Sequence, residues 1–588
     1  MKTRPVDIFV TASLVAAALV VVAGVYGFSQ GRFFTVDEYQ YIHATWLVSQ
    51  GERPYVDFYE HHFPLSYVLH APLLWIEGTF LEKALLLRGA VWVFWMAVMA
   101  AVGVAAARVT RDTRAGLLAF ILAVCFGFSL MSAIDYRADN WGAFLLLAGV
   151  ALLETNRDRP GTRGKSFAGG ILLALAVGMT QKMVFLAGGT AVVWIALDAL
   201  ATAKEPRRPF LRFPMAFCAG FGVVVFGGFV VAAVAGLLEA GYEITIVQAL
   251  RHEVFYPAVS GWTYFEPFLV RHPVSTGLVV LFAGVFFALS RDSFWAVPLG
   301  VAVLGGVLVK AQYPYNYVFP CLVVAVLAAR GFSLVIARIH ARPGRASAWT
   351  PLLYLLPLAV AADQARFVAG VTSNDHQLAI LEKIERFSSP EEVVIDNSGG
   401  ALFRPHGSYY YHHGDAHREM FADYFRERLV EDYRNSGALL WIMDYRLLDL
   451  PPNVHDYFQR HYVRADGSLF GLGFHIPRTG DADHVVEIDV IREGRYHVFP
   501  APVKLSAGLP RSAANETGAV LVVDGVPVTS SEVELGVGSH RVEVPANFPG
   551  HIISLLSPDA FLRSEAERFE RELDGSRSYQ LLFEYDRR

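Results

Sequence analysis

Three cysteines in 588 residues, Cys125, Cys218 and Cys321, are too few for a disulfide framework. Each stands in an apolar run and reads as a small core residue. Charge is scarce too. Only 18% of residues are Asp, Glu, Lys or Arg, and a net charge of −5 at pH 7 excludes the basic surface that a nucleic-acid partner needs. The first apolar run ends in Tyr26-Gly27-Phe28-Ser29-Gln30, with no clear small-residue cleavage site. That argues against a removable signal peptide and for a retained anchor. No internal repeat is visible along the chain.

Apolar sequence is abundant. The chain is 54% hydrophobic with a mean hydropathy of +0.37. Its apolar residues bunch into stretches of roughly 17–25, the reach of a helix across a bilayer core. About eleven spans are expected, at 8–28, 84–107, 115–131, 137–154, 167–181, 183–199, 214–236, 274–290, 294–309, 316–336 and 350–368. The bunching stops near residue 370, where charge, Asn, Pro and Gly rise. The expected fold is therefore an α-helical polytopic membrane module over 1–369 followed by a soluble tail. In the tail, "EEVVIDNSGGALFRP" and "GALLWIMDYRLLDLPP" read as strands, with a helical pattern over "AHREMFADYFRERLVEDYRNSG" between them. These make an α/β subdomain at 370–478. Period-two runs follow, with Asp524-Gly525 as a hairpin turn, and make a β-sandwich-like subdomain at 479–588. No catalytic constellation is visible in the tail, and the sequon Asn515-Glu516-Thr517 carries no weight.

Basic residues orient the spans. One set of connections holds Lys2 and Arg4; Arg108, Arg111 and Arg114; Arg157, Arg159, Arg163 and Lys165; Lys204, Arg207, Arg208 and Arg212; Arg291; and Arg338, Arg342 and Arg345. The alternate set is poorer in base and holds Asp37, Glu38, Asp57, Glu60, Asp135, Asp139, Glu253 and Glu266. This makes the chain a multi-pass protein of the cell's inner (plasma) membrane, with a cytoplasmic N-terminus and an extracytoplasmic tail. Six polar clusters then share the outer face: Asp37-Glu38, His61-His62, Asp135/Arg137/Asp139, Lys182, Arg251-His252-Glu253, and Lys310 with Tyr313, Tyr315 and Tyr317. Ionisable groups at membrane depth are expensive and tend to mark substrate paths.

Each cluster also has a plain structural reading. Asp37-Glu38 can cap a helix and favour its dipole. Arg137 and Asp139 can form an interhelical ion pair, and Lys182 can snorkel to the interface. The aromatics Tyr39, Tyr41, Trp46, Tyr55, Phe58 and Tyr59 suit an interfacial helix lying at the headgroups. His61-His62 lack a clear third ligand at helical spacing, so no cofactor is expected, with a divalent metal there as the lesser alternative. "YYYHHGDAH" (Tyr409–His417) reads as a polar surface loop.

The outer clusters resemble the GT-C class of polytopic glycosyltransferases, and more narrowly its protein O-mannosyltransferase and aminoarabinose-transferase group. In that group an acidic pair opens the first outer loop and a Lys-Pro-Pro-Leu-like segment follows. Here "HFPLSY" keeps Pro64-Leu65, with His62 where the lysine would stand and Phe63 in place of the first proline. "YRADNWGAFLLL" resembles the second outer-loop motif and brings Asp139 and Arg137. "AVGMTQKMVF" resembles a Gly…Thr-Lys segment at the outer end of a short span, and "YPYNYVFP" the Tyr-rich lead into a late span. The resemblance covers about residues 8–340. It implies transfer of a sugar from a polyprenyl-phosphate donor to a hydroxyl of a lipid, glycan or protein acceptor, with membrane lipids around the site. A carboxylate must deprotonate the acceptor; Asp37 is the candidate, with Glu38 beside it. Cations and donors must meet charge on the leaving phosphate; His62, Arg137, Lys182, Arg251, Tyr315 and Tyr317 are the candidates, and the resemblance adds Asp139 to the substrate site. Attack from the face opposite the phosphate predicts inversion. A transporter or flippase of a lipid-linked saccharide is the alternative, but it calls for inverted repeats and midplane polar groups. An inactive scaffold would not need Asp37, Asp139 and Lys182 on one side. On the topology inferred here, a reporter fused after Arg366 is expected outside the cytoplasm and one fused after Arg163 inside; a cytoplasmic signal at Arg366 would move every cluster to the other face.

Overall fold

The computed structural model describes residues 5–124, 133–157, 163–204, 214–251, 273–290, 294–308, 313–341, 356–368, 373–477 except 413, 445, 447–449 and 467, 480–500, and 520–556 except 547–549, together with Ser260, Trp262, Glu266, Val270 and His272. Cys125, His252, Glu253, Lys310 and the sequon Asn515–Thr517 lie outside these residues.

A helix stands at each of the eleven expected positions: Pro5–Gly31, Phe80–Thr110, Thr113–Val124, Ala138–Arg157, Arg163–Met179, Gly189–Lys204, Pro214–Val234, Pro273–Ser290, Ala296–Leu308, Val318–His340 and Leu356–Val368. Lipid offers no partner to a backbone N–H or C=O, so an apolar run must bond within itself as a helix. Among the described residues five stretches are long and apolar enough to cross a bilayer, namely Ile8–Gly31, Phe80–Arg108, Pro214–Val234, Pro273–Ser290 and Tyr315–Ile339. The chain is a membrane protein. Val318–His340 is the central helix, with its apolar side chains mostly buried, whereas Pro214–Val234 is exposed along most of its length. The latter crosses Arg163–Met179 at Gly170 and Gly220, where a Cβ on either glycine would come within 2.1 Å of a backbone carbonyl oxygen of the other helix. Small residues are what let membrane helices approach this closely.

Beyond the first span the chain turns at Thr35. Its hydroxyl accepts from the Glu38 N–H and starts the helix Val36–Ser49. Tyr39 and Tyr41 of this helix, and Phe58 and Tyr59 of the loop after it, face protein and not the headgroups that their composition had suggested. Tyr39, Tyr41, Ile42, Ala44, Leu47, Phe58 and Tyr59 are buried inside the protein. The tail covers this helix, and burying the rings against protein removes as much apolar surface from water as lipid would.

The tail carries a seven-stranded and a four-stranded sheet. β1 (Val394–Ile395) pairs in parallel with β2 (Leu440–Ile442), and three short helices between 415 and 436 make the connection. β4 (Leu469–Ile476) takes β2 and β3 (Tyr462–Asp466) near its start and β11 (His551–Ser554) near its end. β6 (Gly494–Pro500) and β9 (Glu532–Leu535) complete that sheet. β5 (His484–Val490), β10 (Gly538–Val544), β7 (Val522–Val523) and β8 (Val526–Pro527) form the second. The tail holds two apolar cores joined through one sheet, because β4 pairs with β2 at one end and with β11 at the other. Asp524 (φ +50°) and Gly525 (φ +79°) form the expected hairpin turn.

The tail docks on the outer loop by backbone mimicry. The Gln377 side chain accepts from Phe34 N at 2.6 Å and donates to Phe34 O at 2.9 Å. Tyr59 N donates to Tyr409 O at 2.9 Å. Gly399, at φ +81°, lies flat on the outer helix. A Cβ there would sit 3.1 Å from Gln40 Cα and 3.2 Å from Tyr39 O, both backbone atoms. Gly399→Ala should therefore lower the melting temperature, at a cost on the order of 1–3 kcal/mol from the left-handed φ and the contact together. Gly480→Ala, open on all sides, is the control; equal melting of the two variants would show that the loop yields.

Candidate active site

The first turn of Val36–Ser49 presents two acids with different fates. Neighbouring side chains on a helix diverge by about 100°. Glu38 points inward and is fully buried. Arg88 Nε and Nη2 donate to its two oxygens at 2.7 Å each, and Tyr136 N donates to Oε1 at 3.0 Å. Arg88 also donates to the carbonyls of Ser29, Arg32 and Phe33. Glu38 is thus held inside a structural clamp. Asp37 points into the outer cluster, where Arg137 Nη1 donates to its Oδ2 at 2.7 Å. Burial raises the proton affinity of Asp37, but Arg137 and the tail's Arg446 outweigh it and hold the carboxyl below the ordinary carboxylate range.

Arg137 enters on the loop ahead of Ala138–Arg157. Asp135 anchors that loop on Arg32 at 2.7 Å, and Asn140 Nδ2 donates back to Asp135 O. Arg137 also lies 3.5 Å from Asp139, which Lys182 Nζ approaches to 3.4 Å. Lys182 comes from the turn between Arg163–Met179 and the short π-helical stretch Val184–Gly188. The turn Pro314–Tyr317, which opens the central helix, brings up Tyr315. The Arg137 guanidinium carbon is 4.0 Å and Lys182 Nζ 4.3 Å from the centre of the Tyr315 ring. One aromatic face therefore carries two cations. Asp37, Arg137, Asp139, Lys182 and Tyr315, from four separate segments, meet in one cluster.

His62 stands beside this cluster in a different role from a free cation. Its Nδ1 lies 2.7 Å from Glu60 Oε1 and its Nε2 2.9 Å from the Tyr41 hydroxyl. Glu60 Oε2 accepts from Tyr411 and Gln40. Arg251 is exposed and has no bond to the cluster among the described residues; Arg137 is the second cation on Tyr315. Tyr317 faces Ala296–Leu308 instead, where a Cβ on Gly306 would come within 3.2 Å of its ring. Glu60, His61 and His62 have ligand atoms within 4.8 Å of one another, the one such trio among the described residues. Glu60 Oε1 and both nitrogens of His62 are engaged in hydrogen bonds there.

The tail's contribution was missed at the sequence level. Tyr409–His417 is not a surface loop: Tyr411, His412 and His417 are buried. The His417 ring lies 5.0 Å and the His412 ring 6.3 Å from that of His61. Arg446 Nη1 is 2.9 Å from His412 Nδ1. The density of His and Tyr in that run was the available signal. Arg88 carried none, since it reads as one charge in an apolar helix.

No protein-family model matches the chain, and no curated protein matches it. Solved structures do. ArnT from Cupriavidus metallidurans bound to undecaprenyl phosphate aligns with a TM-score of 0.55 at 14% identity, over 79% of this chain and 97% of that one. The oligosaccharyltransferase of Archaeoglobus fulgidus in complex with Zn and sulfate (TM-score 0.41, 14% identity, 78% of this chain and 72% of that one) and AglB from the same organism with an inhibitory peptide and a dolichol-phosphate (0.42, 13%, 79% and 74%) are more distant. The fold is that of the GT-C class of membrane glycosyltransferases.

The tail is held over the site in part by two neutral histidines. His43 Nδ1 donates to Leu402 O at 2.8 Å, and its Nε2 lies 3.2 Å from His406 Nδ1. Burial pushes His43 down to about 4 and His406 to about 3. Depressed values mean stability that is full above the unfolded-state value of about 6.5 and is lost as pH falls toward the folded-state one. The melting-temperature gap between wild type and His43→Gln should therefore narrow from pH ~7.5 to pH ~5, reflecting on the order of 2 kcal/mol. A constant gap would mean that His43 takes up its proton in the folded protein as it does in the unfolded chain. Asp444, pushed up to about 6 by burial, changes stability in the opposite sense but equally in both proteins.

Proposed function

We propose that this chain moves a sugar from a polyprenyl-phosphate donor to an acceptor hydroxyl at the extracytoplasmic face of the inner membrane, with inversion, using Asp37 as general base. The observation that carries this reading is the Asp37–Arg137 pair next to the Lys182–Tyr315 pair, on a fold shared with a protein bound to undecaprenyl phosphate. The basic residues of the opposite set of loops, from Lys2 and Arg4 to Arg338, Arg342 and Arg345, support the side assignment. The donor's phosphate would enter between Arg137 and Lys182, where Asp139 now balances the charge.

The pairing also gives the base a sequence of states. While Arg137 holds Asp37, the carboxylate is ionised but a poor proton acceptor. Once the guanidinium turns to phosphate, Asp37 loses its main counter-charge and its proton affinity rises. It then takes the acceptor's proton as the hydroxyl attacks the sugar carbon, and the phosphate leaves into the two cations. The base is strengthened only when donor is bound, so proton abstraction from the acceptor is tied to the presence of the sugar. No cofactor is needed for this chemistry. The acceptor approaches from the tail side, where His61, His412 and Arg446 line the opposite wall.

Asp37→Asn keeps the shape of the side chain and removes the base. Transfer by the purified, reconstituted protein should fall 10²–10⁴-fold, with polyprenyl-phosphate binding and melting temperature close to wild type. Glu38→Gln should do the reverse in kind, lowering the melting temperature by leaving Arg88 short of a counter-charge. Transfer near the wild-type rate by Asp37→Asn would remove the catalytic role.

A further inference from the structure

His62 is held between Glu60 and Tyr41. Glu60 Oε1 accepts the backbone N–H groups of His61 and His62 at 2.9 and 3.1 Å and lies 2.7 Å from His62 Nδ1. A carboxylate so placed keeps the proton on Nδ1, so in the neutral ring Nε2 is an acceptor. The Tyr41 hydroxyl, 2.9 Å away, must then spend its one proton on His62. Tyr41 stands four residues after Asp37, on the same helix face. The Arg137 guanidinium carbon is 5.7 Å from its ring centre, and its hydroxyl is within electrostatic range of both Asp139 and Arg137. The phenol thus meets imidazole through its hydroxyl and lies beside Arg137, the nearer cation of the cluster.

We propose that Tyr41 is a further phosphate-binding hydroxyl of this site, gated by His62, so that anion binding in the cradle takes up a proton. The proposal rests on the donor-site reading above. Imidazole is the side chain that ordinarily changes charge near neutral pH. With His62 neutral, Tyr41 donates to Nε2. When His62 takes a proton from solvent, Nε2–H donates to the Tyr41 oxygen, and the Tyr41 O–H turns to a phosphate oxygen. The Nδ1–H stays on Glu60, no covalent bond changes, and one proton enters per anion bound. The arriving anion favours the charged ring, and the charged ring frees the hydroxyl that holds the anion.

The groups facing His62 are consistent with this. From its own loop come Glu60 and the His61 ring, 3.9 Å away. From the outer helix come Tyr41 and Asp37, and Asp139 comes from the start of Ala138–Arg157; both carboxylates interact with the His62 charge. From the tail, Tyr411 reaches Glu60, while His412 and His417 lie behind His61. Glu60, Asp37 and Asp139 favour the cation on His62. Arg137 and Lys182 oppose it until a phosphate neutralises them.

The test uses the full chain in nanodiscs and methyl farnesyl phosphate, a phosphodiester whose single charge does not titrate near neutral pH. Calorimetry in two buffers of different ionisation enthalpy counts protons. Wild type should take up close to one proton per ligand on the alkaline side of neutrality, with affinity falling about tenfold per pH unit there. Tyr41→Phe should bind through Arg137 and Lys182 with the uptake and the pH slope reduced, since only the anion's through-space pull on His62 remains. His62→Gln should likewise bind independently of pH, and His62→Lys should bind tightly without a proton count. Wild-type binding without uptake, or unchanged uptake in Tyr41→Phe, would overturn the gate and leave the donor reading standing. No binding of the phosphodiester by wild type would overturn the donor reading, and the gate with it.

Discussion

The outer face of this protein is organised by one buried arginine. Arg88 leaves the second long helix and enters the break between the first span and the outer helix, donating to Glu38 through two nitrogens and to three carbonyls of the turn. A guanidinium has five N–H donors in a rigid fork, and a turn between helices leaves carbonyls that need donors. Glu38 receives Tyr136 N as well, so the same clamp positions the loop that carries Arg137. A charge pair buried this completely would be costly without its full set of hydrogen bonds. With them, it sets the direction of the outer helix and hence where Asp37 points. Phe34, 3.5 Å beneath the Arg88 guanidinium, closes the clamp, and the tail's Gln377 pairs with the backbone of that same residue.

From that anchor the site is built by charge balance. Asp37, Arg137, Asp139 and Lys182 alternate in sign, with Tyr315 beneath both cations. An alternating row can be opened at either cation by an incoming anion, since each cation exchanges one acceptor for another. That makes the cluster suited to a ligand that arrives charged and leaves charged. The tail packs on the other side through Tyr411, which reaches Glu60, and through Arg446, whose charge acts on Asp37.

Much of this was legible in the sequence. The helices occur where apolar runs of bilayer length occur, because backbone in lipid has no alternative to bonding within itself. Asp37, Arg137, Asp139, Lys182 and Tyr315 could be placed on one face from the asymmetry of basic residues alone. The hairpin at Asp524-Gly525 followed from local backbone preference. Arg251 and Tyr317 are the two candidates that are not brought to the cluster among the described residues. Both satisfied the chemical criterion of a cation or a phenol near the right span end, but a span end leaves rotation about the helix axis open, and one position along a helix turns a side chain by about 100°. The aromatics of the outer loop failed for another reason. Burial in lipid and burial beneath a domain have the same composition, so rings destined for either look alike.

By itself, then, the sequence determined the two-part division of the chain, the helical membrane module and the residues from which a site could be assembled, since these follow from hydropathy, period and charge, which are read along the chain. Only the tertiary structure decided which acid of Asp37-Glu38 faces the cluster and which is locked on Arg88, that His62 is spent on Glu60 and Tyr41, and that Tyr411, His412 and Arg446 of the tail complete the wall. Those choices depend on contacts between residues hundreds of positions apart. A buried charge or imidazole takes its role from the partner across the gap, and nothing in its own neighbourhood along the chain names that partner.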